Sequence, residues 1–315
     1  MGSGNPRAHP HSKEEVIASV ITLVEFRALY VGDPRISFGS LAVPLYGAHE
    51  APISIRNITG LEPAPATINS RPRGSLDGEY FLNTHLNKRN IVFTLGANPN
   101  LGPQSVDDIR NNFYAYVTPT KLVGLRFTSD NRPPREIRGW VESIQNDRFS
   151  SDPQLIVSVI CPDPAFVSLA ETTVTGILNG AWKEFVMQGN LVTGFTLFMP
   201  LANTSDIGPD HRIYIETGTS IVEFSQKLYE LDRVLMPGGS NLEMNSIRGQ
   251  KFIQYSFGTH FGAGINEHSL LDNMTPESLW PYLVPGYNRV RVRTPDTTSY
   301  HDDWELKYFE AFGSV

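Results

Sequence analysis

Glycine and proline break this chain too often for it to be built from long helices. Its 315 residues carry 26 glycines and 23 prolines along the whole length, and between them lie short runs rich in β-branched and aromatic residues. Punctuation of that kind calls for many short strands joined by turns. The length suits two cores of roughly 100–200 residues each. Hydrophobic residues at 40% and charged residues at 19% describe an ordered, soluble chain. A net charge of −7 argues against gripping nucleic-acid phosphates, which needs a basic face.

A single cysteine, Cys161, rules out an intrachain disulfide. No stretch reaches the roughly 18 apolar residues of a membrane span. "VIASVITLV", at 16–24, sits between Glu14, Glu15, Glu25 and Arg27. That charge arrangement does not suit a leader, so the run reads as the entry into a first strand. The polar residues before it read as a solvated extension over 1–19, in which His9 and His11 are a metal clip only on a less favoured reading.

Strand patterns recur at Val20–Val31, "LAVPLYG" and "ISIRNITGL", while the Pro-rich "EPAPATINSRPRGS" at 62–75 reads as a loop. A turn at Asp77-Gly78 leads into a strand, a polar turn and a β-rich strand at 90–95. One clear helix is expected over "SVDDIRNNFYAYV", 105–117. Ser105 caps it and Asp108 completes the box, while Val106, Ile109, Phe113 and Tyr116 form its apolar face. Thr118-Pro119 ends it. Two strands around the turn "DNRPP" follow, then "QLIVSVI" at 154–160, apolar enough for burial on both faces. Pro162 and Pro164 stop the ladder after Cys161. The pattern then restarts as "ETTVTGIL", "LVTGFTLFMP", "RIYIETG", "IVEFSQKL", "NLEMNSI", "KFIQYSF", "NRVRVRT" and "DWELKYFEAF", the spacing of a sandwich. "SVICPDPAF" is thus the expected boundary between units at 20–164 and 165–315.

Residues able to do chemistry are scattered. A reactive thiol needs a base and an electropositive setting, whereas Cys161 ends a strand beside Asp163 and reads as structural. His211 and His301 could approach it only through the fold. "DH" at 210–211 and "HDD" at 301–303 match no metal signature and read as turns. "FGTHFGAG", 257–264, lacks the Lys-Ser/Thr of a phosphate loop and reads as a hairpin tip. Glu136, Glu142, Glu184 and Glu223 could pair for glycoside hydrolysis, or simply lie on solvated strand faces. Trp182, Trp280, Tyr282 and Tyr287 could stack on sugar rings, with core and interface roles commoner. In "NRVRVRT", Arg289, Arg291 and Arg293 share one face and Val290 and Val292 the other. The charged face reads as solvated with cross-strand carboxylates, or as docking to an acidic neighbour such as "HDDWE".

Several of these segments resemble the distal tail protein family of bacteriophages with long, non-contractile tails. "IRNITGLEP" at 55–63, "DGEYF" at 77–81 and "KRNIVFTL" at 88–95 are similar to its N-terminal domain, bringing in Asp77, Gly78 and Arg89. "SLWPYLVPGYNRVRV" is similar to its late motif through Trp280, Leu283, Pro285, Gly286 and Asn288. The resemblance implies a mainly β protein with one helix: a split-barrel-like N-terminal domain and a galectin-like β-sandwich. It implies a homohexameric ring joining the tail tube to the tail-tip hub, with a channel through which DNA passes. No catalytic residue, cofactor, metal or membrane insertion is implied. An alternative role is host-surface carbohydrate binding through Trp182 and Trp280. A wall-degrading hydrolase is the third and weakest reading.

Overall fold

The computed structural model describes residues 21–29, 31, 37–45, 51–74, 77–98, 105–147, 152–178, 180–201, 213–218, 227–231, 240–257, 267–273, 279–293 and 303–315. Its first half contains β1 (Ile21–Leu29), β2 (Ser37–Pro44), β3 (Ile53–Thr59), β4 (Ala66–Pro72), β5 (Glu79–Leu86) and β6 (Arg89–Ala97). Helix α1 (Val106–Tyr116) follows, then β7 (Leu122–Ser129), β8 (Arg132–Asn146) and β9 (Gln154–Cys161).

The antiparallel order β2-β1-β7-β8-β9-β6-β3 curls round until a lone parallel bridge, Leu45 to Ile55, returns β3 to β2. The result is a barrel split along that seam. Alternation aims Val24 and Phe26 of β1, Ile91, Phe93 and Leu95 of β6, and Val123, Leu125 and Phe127 of β7 into the interior. Helix α1 starts where its sequence says it should. The Ser105 side chain accepts from the Asp108 N–H at 3.2 Å, and the Asp108 carboxylate accepts from the Ser105 N–H at 3.0 Å. Its buried Phe113 meets Phe26 edge-on at 5.4 Å, closing the apolar stripe against the barrel core.

The second half contains β10 (Phe166–Ile177), β11 (Lys183–Met187), β12 (Thr196–Leu201), β13 (Ile213–Gly218), β14 (Lys227–Leu231) and β15 (Ser240–Asn245). β16 (Phe252–Phe257), β17 (Glu267–Ser269), β18 (Gly286–Arg293) and β19 (Asp303–Phe312) complete it. One layer runs β17-β16-β15-β12-β19-β10 and the other β11-β18-β13-β14. Between them lie Leu197, Leu242, Met244, Trp304 and Leu306 from the first, and Met187, Ile213, Ile215, Val290 and Val292 from the second. This is a β-sandwich. The protein is therefore mainly β, with a single α-helix among the described residues.

The two cores are distinct clusters of buried side chains, yet one ladder of hydrogen bonds crosses between them. Val167 and Ser168 of β10 pair with Glu136 and Arg135 of β8, and from Glu171 the same strand pairs with β19. Phe166 belongs to the barrel core, and Phe312 and Val315 return to pack against it.

Three local expectations need correction. Residues 66–72 form a strand and not a loop: β4 pairs with β5 as a separate hairpin whose outer edges tolerate Pro72. Pro133 and Pro134 lie inside β8, ahead of the point where β10 joins it, so their missing N–H groups interrupt no ladder there. β9 is half-buried on its second face: Ile156 is exposed and Ile160 intermediate, while Leu155, Val157, Val159 and Cys161 are buried. The strands β11 and β17, of five and three residues, are too short to carry a periodic signal in the sequence. His9, His11, His211, His301, Glu223, the first part of "IVEFSQKL" and nearly all of "FGTHFGAG" lie outside the described residues.

Candidate assembly surface and the Arg89 joint

Arg89 opens β6, directly opposite Cys161 of β9. Its side chain is buried at 3% exposure. Nε donates to the Pro164 carbonyl at 3.0 Å, and one terminal nitrogen donates to the Gly60 and Glu62 carbonyls at 2.8 and 2.5 Å. The other donates to the Gly313 carbonyl at 2.6 Å. The guanidinium also lies 4.6 Å over the Phe166 ring. Four chain segments are thereby held by one planar fork: the end of β3, the link after β9, the start of β10 and the chain after β19. Nearby, Arg132 and Arg135 donate to the Val315 and Ser314 carbonyls. Arg89 was singled out by resemblance; its joining role depends on contacts far apart in sequence.

Cys161 is fully buried at the barrel wall. Burial pushes its thiol up to about 12 from an ordinary 9.0, with the Arg89 charge opposing and Asp163 adding to the rise. It is a packed side chain, not an activated nucleophile. Its pH effect has a definite sign. Below pH 9 the thiol is protonated in both states. Between about 9 and 12 the unfolded chain ionises while the folded one stays neutral, so stability falls as pH rises. Cys161→Ala removes that contribution. The wild-type stability should fall faster than the variant's above pH 9, by up to about 1.4 kcal/mol per pH unit, in paired denaturant titrations.

The late-motif residues build a turn. Leu283 is buried in the sandwich core and bridges Thr193. Trp280 is half-buried against the same core, with Lys251 Nζ 5.5 Å from its ring. Pro285 is exposed, and Gly286 adopts φ +86°, a region that glycine enters at low cost and most other residues do not. The buried Asn288 pins the turn: Oδ1 accepts from the Val284 N–H at 3.0 Å, and Nδ2 donates to the Val284 and Gly286 carbonyls at 2.7 and 3.0 Å. Asn288→Ala should cost about 2 kcal/mol in denaturant unfolding, because it removes three hydrogen bonds at once from half-buried backbone groups.

On the outer face of β18, the Arg289 and Arg291 guanidiniums lie 4.6 and 4.5 Å over Trp182, and Arg293 lies 4.4 Å over Tyr214. Glu216, opposite Arg291 in register and 2% exposed, accepts from Arg291 at 2.7 Å and Arg293 at 2.8 Å. The arginine face thus has its cross-strand carboxylate within the same chain. Tyr287 sits opposite Val186 on that sheet, and Tyr282 is half-buried beside the turn.

The acidic candidates have separate partners. Glu136, 3% exposed, is surrounded by Arg27 at 2.6 Å, Arg138 at 3.1 Å and Arg126 at 3.6 Å. Glu142 accepts from Ser158 at 2.7 Å, and Glu184 lies opposite Arg289.

The most conspicuous exposed element is the β4–β5 hairpin, with Asp77 and Gly78 at its turn. Ile68, Phe81, Leu82 and Tyr80 are 67%, 65%, 55% and 48% exposed. Register places Ile68 and Phe81 on one face, since Phe81 opposes Ser70. Tyr80, opposite Arg71, faces the other way under the Arg71 and Arg73 guanidiniums at 5.5 and 5.0 Å. A two-stranded hairpin with both faces in water is marginal by itself, and apolar side chains so exposed mark an interaction surface.

No family model and no curated protein matches the sequence. Among solved structures, the SPP1 Dit (gp 19.1) protein, described as a paradigm of the hub adsorption apparatus in Gram-positive-infecting phages, aligns with a TM-score of 0.54. Identity is 14%, over 91% of this chain and 99% of that one. Chains from the phage P2 baseplate in its activated conformation, with Ca and with Sr, align at TM-scores of 0.41 and 0.43 and 7% and 8% identity. They span 91% and 92% of this chain and 98% of their own, overlaps too weak to carry an argument. What is shared at such identity is the path of the backbone, and through barrel and sandwich alike this chain has a Dit-like fold.

Proposed function

We propose that the protein is a structural adaptor at the distal end of a non-contractile phage tail. Copies of it close into a ring of six, which joins the tail tube to the tail-tip hub and leaves a channel for DNA. The observation that carries this reading is the Dit-like fold extending over both the barrel and the sandwich. A net charge of −7 supports passage of DNA without adhesion. No helix among the described residues is long and apolar enough to cross a membrane. The role is non-catalytic: Cys161 is packed, and Glu136 is held among three arginines. Host-sugar binding through Trp182 would require an open aromatic face, and two guanidiniums lie over that ring.

Negative-stain images of the purified chain mixed with tail-tube subunits test the proposal. Sixfold rings capping tube ends are the expected result. Tubes that assemble with bare ends beside free, unassociated chain would overturn it.

A further inference from the structure

We infer that Arg89 couples two appendages of the barrel, so that the direction of the β4–β5 hairpin and the seating of the sandwich shift together. The coupling belongs to the single chain and holds whether or not copies close into a ring.

Both appendages are rooted at one rim of the barrel, where β6 begins and β9 ends. The hairpin forms a sheet of its own, so its direction is set at its root. There Gly60 turns the chain at φ +87°, Leu61 packs against the barrel core, and the Asn87 N–H donates to the Pro65 carbonyl at 2.8 Å. Thr67 Oγ1 donates to Asn87 Oδ1 at 2.9 Å. The sandwich is seated on the same rim by the link at Pro164 and by the return of the chain after β19. Phe312 packs against the barrel core with the Arg135 guanidinium 3.6 Å over its ring, and the Gly313 N–H donates to Asn190 Oδ1 at 2.7 Å.

The Arg89 guanidinium holds both roots. One terminal nitrogen takes the Gly60 and Glu62 carbonyls on the hairpin side. Nε and the other terminal nitrogen take Pro164 and Gly313 on the sandwich side. The donors of a guanidinium are fixed in one plane, and at 3% exposure this one has little water to turn to. A shift of the hairpin root therefore either drags the fork away from Pro164 and Gly313 or strands a buried donor. Both weaken the seating of the sandwich. By linkage, a shift of the sandwich weakens the hairpin root by the same factor. A partner that turns the hairpin changes how firmly the sandwich is held.

Hydrogen exchange of the full chain tests the coupling. Leu61→Ala loosens the hairpin root, and Phe312→Ala loosens the seating of the sandwich. Leu61→Ala should quicken exchange at 311–315 about tenfold, the effect of losing roughly one hydrogen bond to a charged group, while amides at 91–95 inside the barrel change less than about threefold. Phe312→Ala should quicken the Asn87 amide by a similar factor. Both cross-effects should vanish in an Arg89→Met background, with Arg89→Lys in its place where the Met variant does not fold. Either cross-effect missing, equal quickening at 91–95 as general destabilisation gives, or cross-effects that persist without the guanidinium would each overturn the coupling.

Discussion

Arg89→Met should remove about 3–5 kcal/mol of folding stability, because each hydrogen bond to a charged group contributes roughly 1.5–3 kcal/mol and four carbonyls, two of them on buried residues, lose their donor together. The loss is not spread evenly. Pro164 lies in the link between the cores and Gly313 in the chain that returns to the barrel. Hydrogen exchange should therefore quicken around 164–168 and 311–315 before it quickens inside the barrel. Arg89→Lys should recover little, since an ammonium has three donors on a point charge and no planar fork. A denaturant midpoint within error of wild type for Arg89→Met would show that the cores are joined by the β10 ladder alone.

Gly60→Ala should cost at least about 3 kcal/mol, combining a left-handed backbone with a collision against main chain. Gly60 has φ +87°, and a Cβ there would lie 2.0 Å from the Asn90 carbonyl oxygen. A backbone atom cannot swing away as a side-chain tip can, so β3 and β6 must part. The same shift would displace the Gly60 carbonyl that Arg89 holds at 2.8 Å. The two substitutions should therefore be non-additive: in a double-mutant cycle the pair should lose about 1 kcal/mol or more less than the sum of the singles. Full additivity would separate the turn from the joint.

Elements specified by neighbouring residues could be read from sequence. The Ser105–Asp108 box starts α1, and alternation along "NRVRVRT" assigns its faces correctly, because both depend on side chains at most a few positions apart. The β4–β5 hairpin is hidden in the sequence because Pro63, Pro65 and Pro72 mask a strand that pairs with nothing but its own hairpin partner. Arg89 drew attention only through resemblance. Its acceptors lie 27, 29, 75 and 224 positions away, and no window on the sequence brings them together. Residue type alone offers Trp182 as a sugar platform; the guanidiniums above it are placed there only once β11 and β18 pair.

The mass of the purified chain in solution, followed by sedimentation velocity as concentration rises, tests the central claim most directly. Assembly into a closed species of six 35.1 kDa chains, with nothing larger accumulating, is what a ring-forming adaptor requires. A chain that stays monomeric at every concentration, with and without tail-tube subunits, would contradict the account.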